Sequence, residues 1–242
     1  MKIKKSSWGK LAFVDVLQKI WHFFGGRILL GLIFAVSALI FCLWFTDEVF
    51  EGSTKVFDET VRNAIHETAT PWLTQLMIFL SFSGSFGFLI CLAIVVIIIF
   101  ARLKWKRAIA LFLITMIGEL ILNLTLKGFF HRVRPQAFFD YPLPDSYSFP
   151  SGHALGSFCF YGILAWLITA RLENRSLKIL IWIMAGVLIF SIGFSRLYLG
   201  VHYPSDVVAG FTSAFVWIFT VGFSDFWLKK RTVENKQNLP TD

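Results

Sequence analysis

Six long apolar stretches dominate this sequence, and they restrict the folds that the chain can adopt. A helix needs about 20 mainly apolar residues to cross roughly 30 Å of hydrocarbon. Stretches that approach this length lie at residues 28–45, 84–101, 108–126, 153–170, 177–194 and 207–228. A mean hydropathy of +0.68 is higher than a water-soluble domain can accommodate. We therefore predict an all-α, polytopic membrane protein with six transmembrane helices.

The basic residues are divided unequally between the two sides of the predicted spans. Of the 23 Lys and Arg residues, 17 lie before the first span, after the last, or in or beside the second and fourth connections. The positive-inside rule assigns that side to the cytoplasm. We therefore expect a cell-membrane protein with both termini in the cytoplasm. The net charge of +8 then encodes orientation, and no nucleic-acid partner is expected.

Two further segments have the spacing of helices that lie on a membrane surface. Residues 11–24 place polar side chains at helical intervals among apolar ones, as in an interfacial amphipathic helix. A similar apolar stripe in the first outer connection consists of Phe57, Val61, Ala64 and Ile65. We expect these two short helices to anchor the chain at the membrane surface or to pack against the other helices.

The chain shows no internal repeat or linker, so we predict one domain over residues 1–242. Within it, we expect residues 1–27 to form a cytoplasmic amphipathic segment and residues 229–242 a cytoplasmic tail. A cluster of Ser and Gly at residues 81–87 predicts a kink or a close helix approach at the start of the second span.

Three short segments on the predicted outer side hold an unusual set of reactive side chains. Taken singly, each cation is explained as a topology signal or a lipid contact, and Ser151 as a helix N-cap. Their conjunction at one membrane face is not explained in this way. His131 and Arg132 are left out, as interfacial residues. The predicted site consists of Lys127, Arg134, Ser151, Gly152, His153, Arg196, His202 and Asp206.

The charges of this set indicate a phosphate-binding pocket. The three cations Lys127, Arg134 and Arg196 match a dianionic phosphate, and guanidinium groups bind its oxygens in pairs. The first N–H groups of the helix that follows Ser151 favour an anion at the same place. Gly152 permits a close approach of the backbone.

The two histidines and the aspartate indicate catalysis rather than binding alone. Asp206 lies one helical turn after His202, so it can accept a hydrogen bond from one ring nitrogen. The other nitrogen is then free to attack phosphorus as a nucleophile. His153 remains as the acid that protonates the leaving group. With no carboxylate cluster to hold a metal, neither a metal nor a cofactor is expected.

The three segments contain motifs in a fixed order: Lys-x6-Arg-Pro at 127–135, Pro-Ser-Gly-His at 150–153 and Ser-Arg-x5-His-x3-Asp at 195–206. They resemble the three signature motifs of the type 2 phosphatidic acid phosphatase (PAP2) superfamily. The resemblance implies six spans, an outward-facing site and metal-independent hydrolysis through a phosphohistidine on His202. The sequence is similar in particular to the bacterial lipid phosphatases that act on phosphatidylglycerophosphate or undecaprenyl diphosphate. Soluble vanadium haloperoxidases share the pocket but not the spans.

The leading hypothesis is therefore a lipid phosphatase that acts at the outer leaflet, with the bilayer and a lipid phosphate as its partners. Undecaprenyl diphosphate, phosphatidylglycerophosphate and phosphatidate all remain open as substrates, and so does the oligomeric state. One alternative is a phosphotransferase that passes the phosphoryl group to another lipid. A second alternative is a non-catalytic headgroup binder or transporter, which would need the cations but not the two histidines and the aspartate.

Glu119 and Asn123 stand one helical turn apart inside the third predicted span. An ionisable residue at such a depth is a functional candidate by default. Both residues precede Lys127 by one or two turns, so we expect them to lie away from the outer site. Helix packing is therefore the preferred interpretation of their role, and a lipid-tail contact or a proton path is the alternative.

Overall fold

The computed structural model describes residues 26–237, and all regular secondary structure within that range is α-helical. The helices are α1 (Gly26–Phe50), α2 (Lys55–Glu67), α3 (Pro71–Ser83), α4 (Phe86–Arg102), α5 (Lys106–Phe130), α6 (Gly152–Thr169), α7 (Arg175–Tyr198) and α8 (Pro204–Gln237). The all-α class is confirmed for this part of the chain. The predicted amphipathic segment at 11–24 lies outside the described residues.

Several of these helices are long and apolar enough to cross a membrane. Within the described range four qualify, namely α5, α6, α7 and the part of α8 from Pro204 to Arg231. The pair α3 and α4 adds a fifth if it is one span bent by 52°. Helix α1 has 25 residues and covers the first predicted span. The chain is thus a multi-pass membrane protein by its helices, while the count of six spans stays a prediction.

The bend between α3 and α4 falls inside the cluster of small residues that predicted it. Ser85 begins α4 as its N-cap and accepts a hydrogen bond from the Phe88 amide at 3.4 Å. At Gly84 a Cβ atom would lie 2.4 Å from Cγ2 of Ile192 in α7. A side chain at position 84 would therefore force α7 away from the bend.

Helix α6 lies at the centre of the bundle. Its apolar window is 61% buried, against 33% or less for the other three candidate spans. Leu155, Phe160 and Ile163 are fully buried, and the cluster around Phe160 includes residues of α4, α5 and α8. This packing fixes the position of the α6 N-terminus, which carries the predicted Pro-Ser-Gly-His motif.

Connections converge on the end of the bundle where α5 ends and α6 begins, which we call the site end. Backbone hydrogen bonds join distant parts of the chain there. The Ser151 amide donates to the Asp206 carbonyl at 3.0 Å, and the Ser148 amide donates to the Arg132 carbonyl at 2.8 Å. These bonds bring the three predicted segments into one layer.

Helix α2 packs with a polar face inward, which differs from the expected apolar stripe. Asp58 has 0% exposure, whereas Phe57 of the stripe is 53% exposed. Of the remaining stripe residues, Val61 and Ile65 are partly buried and Ala64 is exposed. The reason is that α2 meets the polar connections of the site end, where a buried carboxylate finds partners that an apolar side chain cannot use.

Candidate active site

The predicted site residues come together at the site end. Six of them line one cavity of about 410 Å³: Lys127, Arg134, Gly152, His153, Arg196 and His202. The other two, Ser151 and Asp206, are fully buried. Ser151 is the N-cap of α6 and accepts a hydrogen bond from the Ala154 amide at 3.5 Å. Their proximity makes a joint role possible, and the role of each residue stays a prediction.

His202 lies in the turn between α7 and α8 and is only 1% exposed. Its Nδ1 atom is 3.3 Å from Oδ2 of Asp206 and 3.3 Å from Oγ of Ser148. Ser148 itself donates to Oδ2 of Asp206 at 2.5 Å. With the proton on Nδ1 assigned from this network, Nε2 accepts from Nη1 of Arg134 at 3.0 Å.

The surroundings keep the His202 ring neutral. Burial lowers the pKa of His202 from 6.5 to about 3, although the hydrogen bond to Asp206 raises it, and the nearby Arg134 and Arg196 lower it further. At neutral pH the ring therefore carries one proton, and Nε2 keeps its lone pair. An oriented neutral imidazole is the form that can act as a nucleophile.

Arg132 is the most important residue that the sequence interpretation left out. One of its nitrogens, Nη1, donates to Oδ1 of Asp206 and to Oγ of Ser205, both at 2.7 Å. The other, Nη2, donates to Oδ2 of Asp58 at 2.7 Å. Burial alone would lower the pKa of Arg132, but the two carboxylates outweigh it and raise that pKa. Arg132 therefore holds the carboxylate that orients His202.

Asp58 in α2 completes this polar network. It accepts hydrogen bonds from the amide and the hydroxyl of Ser205, at 2.9 and 2.7 Å, and from the Thr54 hydroxyl at 3.1 Å. Helix α2 is thus bound to the start of α8. In the sequence, Thr54, Asp58 and Arg62 recur at intervals of four residues, which marks a polar face on this helix but does not identify its distant partners.

The connection before α6 fixes Arg134. Its Nε atom donates to the Ser146 carbonyl at 2.7 Å, and Nη1 donates to the Val201 carbonyl at 3.0 Å. Burial lowers the pKa of Arg134, and Asp206 opposes that change. Lys127 donates from Nζ to the Tyr147 carbonyl. These backbone acceptors hold both cations at the cavity without neutralising them.

Arg196 is the third cation and the most deeply buried one, with 2% exposure. Its Nη1 atom donates to the hydroxyl of Ser81 in α3, and its buried Nε atom has no hydrogen-bond partner within the described part of the chain. No carboxylate pairs with it among residues 26–237. A buried charge without a counterion is a strong site for an incoming anion.

The N-terminus of α6 faces the same space. The first N–H groups of a helix have no partners within it, and in α6 these belong to Gly152 and His153. At Gly152 a Cβ atom would lie 2.9 Å from Nδ2 of Asn123, so a side chain would collide with α5. This contact is a packing reason for glycine at position 152, and the close approach of the backbone to a phosphate stays a prediction.

Beyond the charged residues, the cavity extends between α4 and α5. Its walls there are apolar and include Leu89, Ile90, Ala93, Met116, Ile117 and Leu120. Glu119 and Asn123 also line it, so their side chains face the cavity and do not serve helix packing alone, which was the preferred interpretation. The cavity thus has a cationic end and, beyond it, mainly apolar walls.

Comparisons with known proteins agree with this arrangement. The sequence profile of the PAP2 superfamily matches residues 107–229, which contain all three motif segments. Phosphatidylglycerophosphatase B of Bacillus subtilis is 32% identical over 194 residues, which cover 78% of this chain and 94% of that protein. Undecaprenyl-diphosphatase of Sulfolobus acidocaldarius is 32% identical over 143 residues, 57% of this chain and 64% of that protein.

A solved structure shows the same fold. The crystal structure of the transmembrane PAP2-type phosphatidylglycerolphosphate phosphatase from Bacillus subtilis matches with a TM-score of 0.74 at 30% sequence identity. The match covers 79% of this chain and 95% of that chain. The similarity therefore extends over most of the helical bundle and is not confined to the motifs.

Proposed function

Since the chain belongs to the PAP2 superfamily of phosphatases, we propose that it hydrolyses lipid phosphates or diphosphates through a covalent intermediate on His202. The observation that carries this proposal is the cavity itself. Three cations and two histidines line one end of it, and mainly apolar side chains of α4 and α5 line the rest. An amphiphile with an anionic head and a hydrocarbon tail has the same distribution of polarity.

In the first proposed step, Nε2 of His202 attacks phosphorus in line with the leaving oxygen. The P–N bond forms while the P–O bond breaks, and His153 donates a proton to the departing oxygen. Lys127, Arg134 and Arg196 stabilise the charge on the other phosphate oxygens. Asp206 stabilises the positive charge that the ring acquires, through the proton on Nδ1.

In the second proposed step, water attacks the phosphohistidine. His153 now accepts a proton from that water, the P–N bond breaks, and the neutral His202 ring is restored. Inorganic phosphate is released. If a lipid hydroxyl took the place of water, the same intermediate would make the protein a phosphotransferase.

We also propose that this reaction needs no divalent metal. The electrostatic stabilisation that a metal supplies in other phosphatases is assigned here to the three cations and the α6 N-terminus. Metal-independent activity is therefore an expected property of the purified enzyme.

Phosphate release by the purified protein in detergent tests the proposed function. The substrates are undecaprenyl diphosphate, phosphatidylglycerophosphate and phosphatidate, each with and without excess chelator. We expect release from at least one lipid, unchanged by the chelator and absent in His202→Ala. Activity that is lost in chelator and restored by Mg²⁺ contradicts the metal-free mechanism. Phosphate found on an added lipid acceptor, with none in solution, identifies a transferase.

The charge distribution leads us to propose that the site end faces the extracytoplasmic side. Asp145 in the connection before α6 and Glu173 in the connection before α7 are both exposed, at opposite ends of α6. In a background without the native cysteines, we expect Asp145→Cys to react with a membrane-impermeant thiol reagent in intact cells and Glu173→Cys to react only after lysis. The opposite labelling pattern overturns the proposed orientation.

A further inference from the structure

A column of polar side chains lies on the face of α5 that adjoins the start of α6. Its members are spaced by four residues: Thr115, Glu119, Asn123 and Lys127. Oε1 of Glu119 lies 3.5 Å from the position that a Cβ atom on Gly156 would take, and Nδ2 of Asn123 lies 2.9 Å from that position on Gly152. The Asn123 amide therefore occupies space that a side chain at Gly152 would need, whereas Glu119 lies at an ordinary contact distance from Gly156.

In the described part of the chain, acceptor atoms of the two middle members have no hydrogen-bond partner. Thr115 donates its hydroxyl hydrogen to the Leu111 carbonyl at 2.8 Å, and Lys127 donates to the Tyr147 carbonyl. Glu119 is 7% exposed, and within residues 26–237 its carboxyl group has neither a hydrogen bond nor an ion pair. The buried Oδ1 atom of Asn123 likewise has no partner in the described range.

Both unpartnered groups line the cavity that contains the proposed phosphate site. With a rise of 1.5 Å per residue, Asn123 lies about 6 Å and Glu119 about 12 Å along α5 from Lys127. A leaving group that extends from the phosphate into the cavity passes Asn123 first and Glu119 second. Buried acceptors without donors are unfavourable, so a ligand that brings donors to this wall is favoured.

We propose that Asn123 and Glu119 bind hydroxyl groups of the leaving alcohol, so that the site prefers phosphate monoesters of hydroxylated lipid alcohols to lipid diphosphates. This inference rests on the proposed phosphatase function. A glycerol or sugar monophosphate carries a hydroxyl on the carbon next to its ester carbon, within reach of an acceptor beside the phosphate site. A lipid diphosphate brings a second anion to the same level, opposite an amide oxygen and a carboxyl group.

One pair of substrates isolates the effect of a single hydroxyl group. These are 1-oleoylglycerol 3-phosphate and its 2-deoxy analogue, and farnesyl diphosphate serves as the diphosphate. We expect the wild-type kcat/KM for the hydroxylated ester to exceed that for the deoxy ester by about tenfold or more, as for a buried hydrogen bond whose loss leaves an acceptor unpaired. A wild-type ratio near 1 overturns the inference without the use of any variant.

Variants then assign the preference to the two residues. Asn123→Leu and Glu119→Leu each remove an acceptor, so we expect the ratio to fall towards 1 in both. Glu119→Gln keeps an acceptor but cannot carry a negative charge, so it should retain the ratio and raise the relative kcat/KM for farnesyl diphosphate. The matched control is Thr115→Val, on the same helix face but outside the cavity, which should keep the wild-type ratio.

The outcomes separate this inference from the function on which it rests. If the wild type hydrolyses these esters, His202→Ala does not, and the hydroxyl preference survives in both Leu variants, then the inference is wrong and the proposed function stands. If His202→Ala hydrolyses the esters as fast as the wild type, then both are overturned. Loss of the preference in the Leu variants together with its retention in Glu119→Gln and Thr115→Val supports the inference.

Discussion

We expect His202→Ala to abolish turnover of every phosphate ester, and His153→Ala to spare the turnover of p-nitrophenyl phosphate far more than that of a lipid monophosphate. The His202 variant lacks the atom that bonds to phosphorus, so its rate should fall by about 10⁴ or more on both substrates, as for other nucleophile deletions. The His153 variant lacks only the proton donor. A p-nitrophenolate leaving group needs that proton much less than a lipid alkoxide does.

Kinetics of purified variants on the two substrates measure this contrast. General-acid help is worth about 10² to 10⁴ in rate, so the His153 variant should show a difference of that order between them. His131→Ala is the control, since the His131 ring packs against Tyr147 at 4.5 Å outside the proposed machinery, and it should retain activity. An equal loss on both substrates in folded His153→Ala protein contradicts its role as leaving-group acid.

The second large effect is expected for Arg132→Met. The change leaves Asp58 and Asp206, both at 0% exposure, without the guanidinium group that they share. An uncompensated buried charge of this kind costs about 3 to 5 kcal/mol of folding free energy. We expect a marked fall in the thermal inactivation midpoint in detergent, and a fall in kcat because Asp206 no longer holds the His202 ring in place.

A double variant tests whether charge imbalance is the cause. Adding Asp58→Asn to Arg132→Met removes one unpaired carboxylate, so the double variant should be more stable than Arg132→Met alone. Arg107→Met is the matched control, because Arg107 pairs with Asp225 at 2.5 Å near the opposite end of the bundle. It should change the inactivation midpoint but not kcat/KM for the phosphate ester. A double variant no more stable than the single one refutes the charge explanation.

The helical architecture was predictable to a large extent, because the thickness of a bilayer imposes a length on every apolar span. The predicted ends of the spans differ from the observed ends of the helices mainly where polar residues begin or end a helix. Helix α7 was expected from Leu177 and begins at Arg175, because Asn174 caps it and accepts from the Leu177 amide at 3.0 Å. Helix α3, with 13 residues, precedes the second predicted span at residues 84–101 and was not predicted.

The eight predicted site residues follow from short motifs, whereas Asp58 and Arg132 were not among them. Asp206 follows His202 by four residues, and that interval alone predicts contact on a helix. In contrast, Asp58 bonds to Arg132 across 74 positions and to Ser205 across 147 positions. No local pattern reports such contacts, so only the folded chain reveals that α2 supports the site.

Glu119 and Asn123 show a different limit of sequence reasoning. Their separation from Lys127 along the chain was interpreted as distance from the site. The cavity runs alongside α5, however, so residues one and two turns from Lys127 still line the same space. The number of residues between two positions on a spanning helix reports their difference in depth in the membrane. It does not show that one of them lies outside a cavity that runs along the same helix.

The apolar part of the cavity wall continues onto the outer surface of the bundle. Phe86, Ile90 and Ile117 line the cavity, yet they are 64%, 43% and 56% exposed, which in a multi-pass protein means contact with acyl chains. A lipid substrate can then reach the proposed phosphate site by lateral diffusion within its leaflet. Turnover should follow the mole fraction of substrate in the micelle or vesicle, so dilution with inert detergent slows the enzyme even when the bulk concentration of substrate is unchanged.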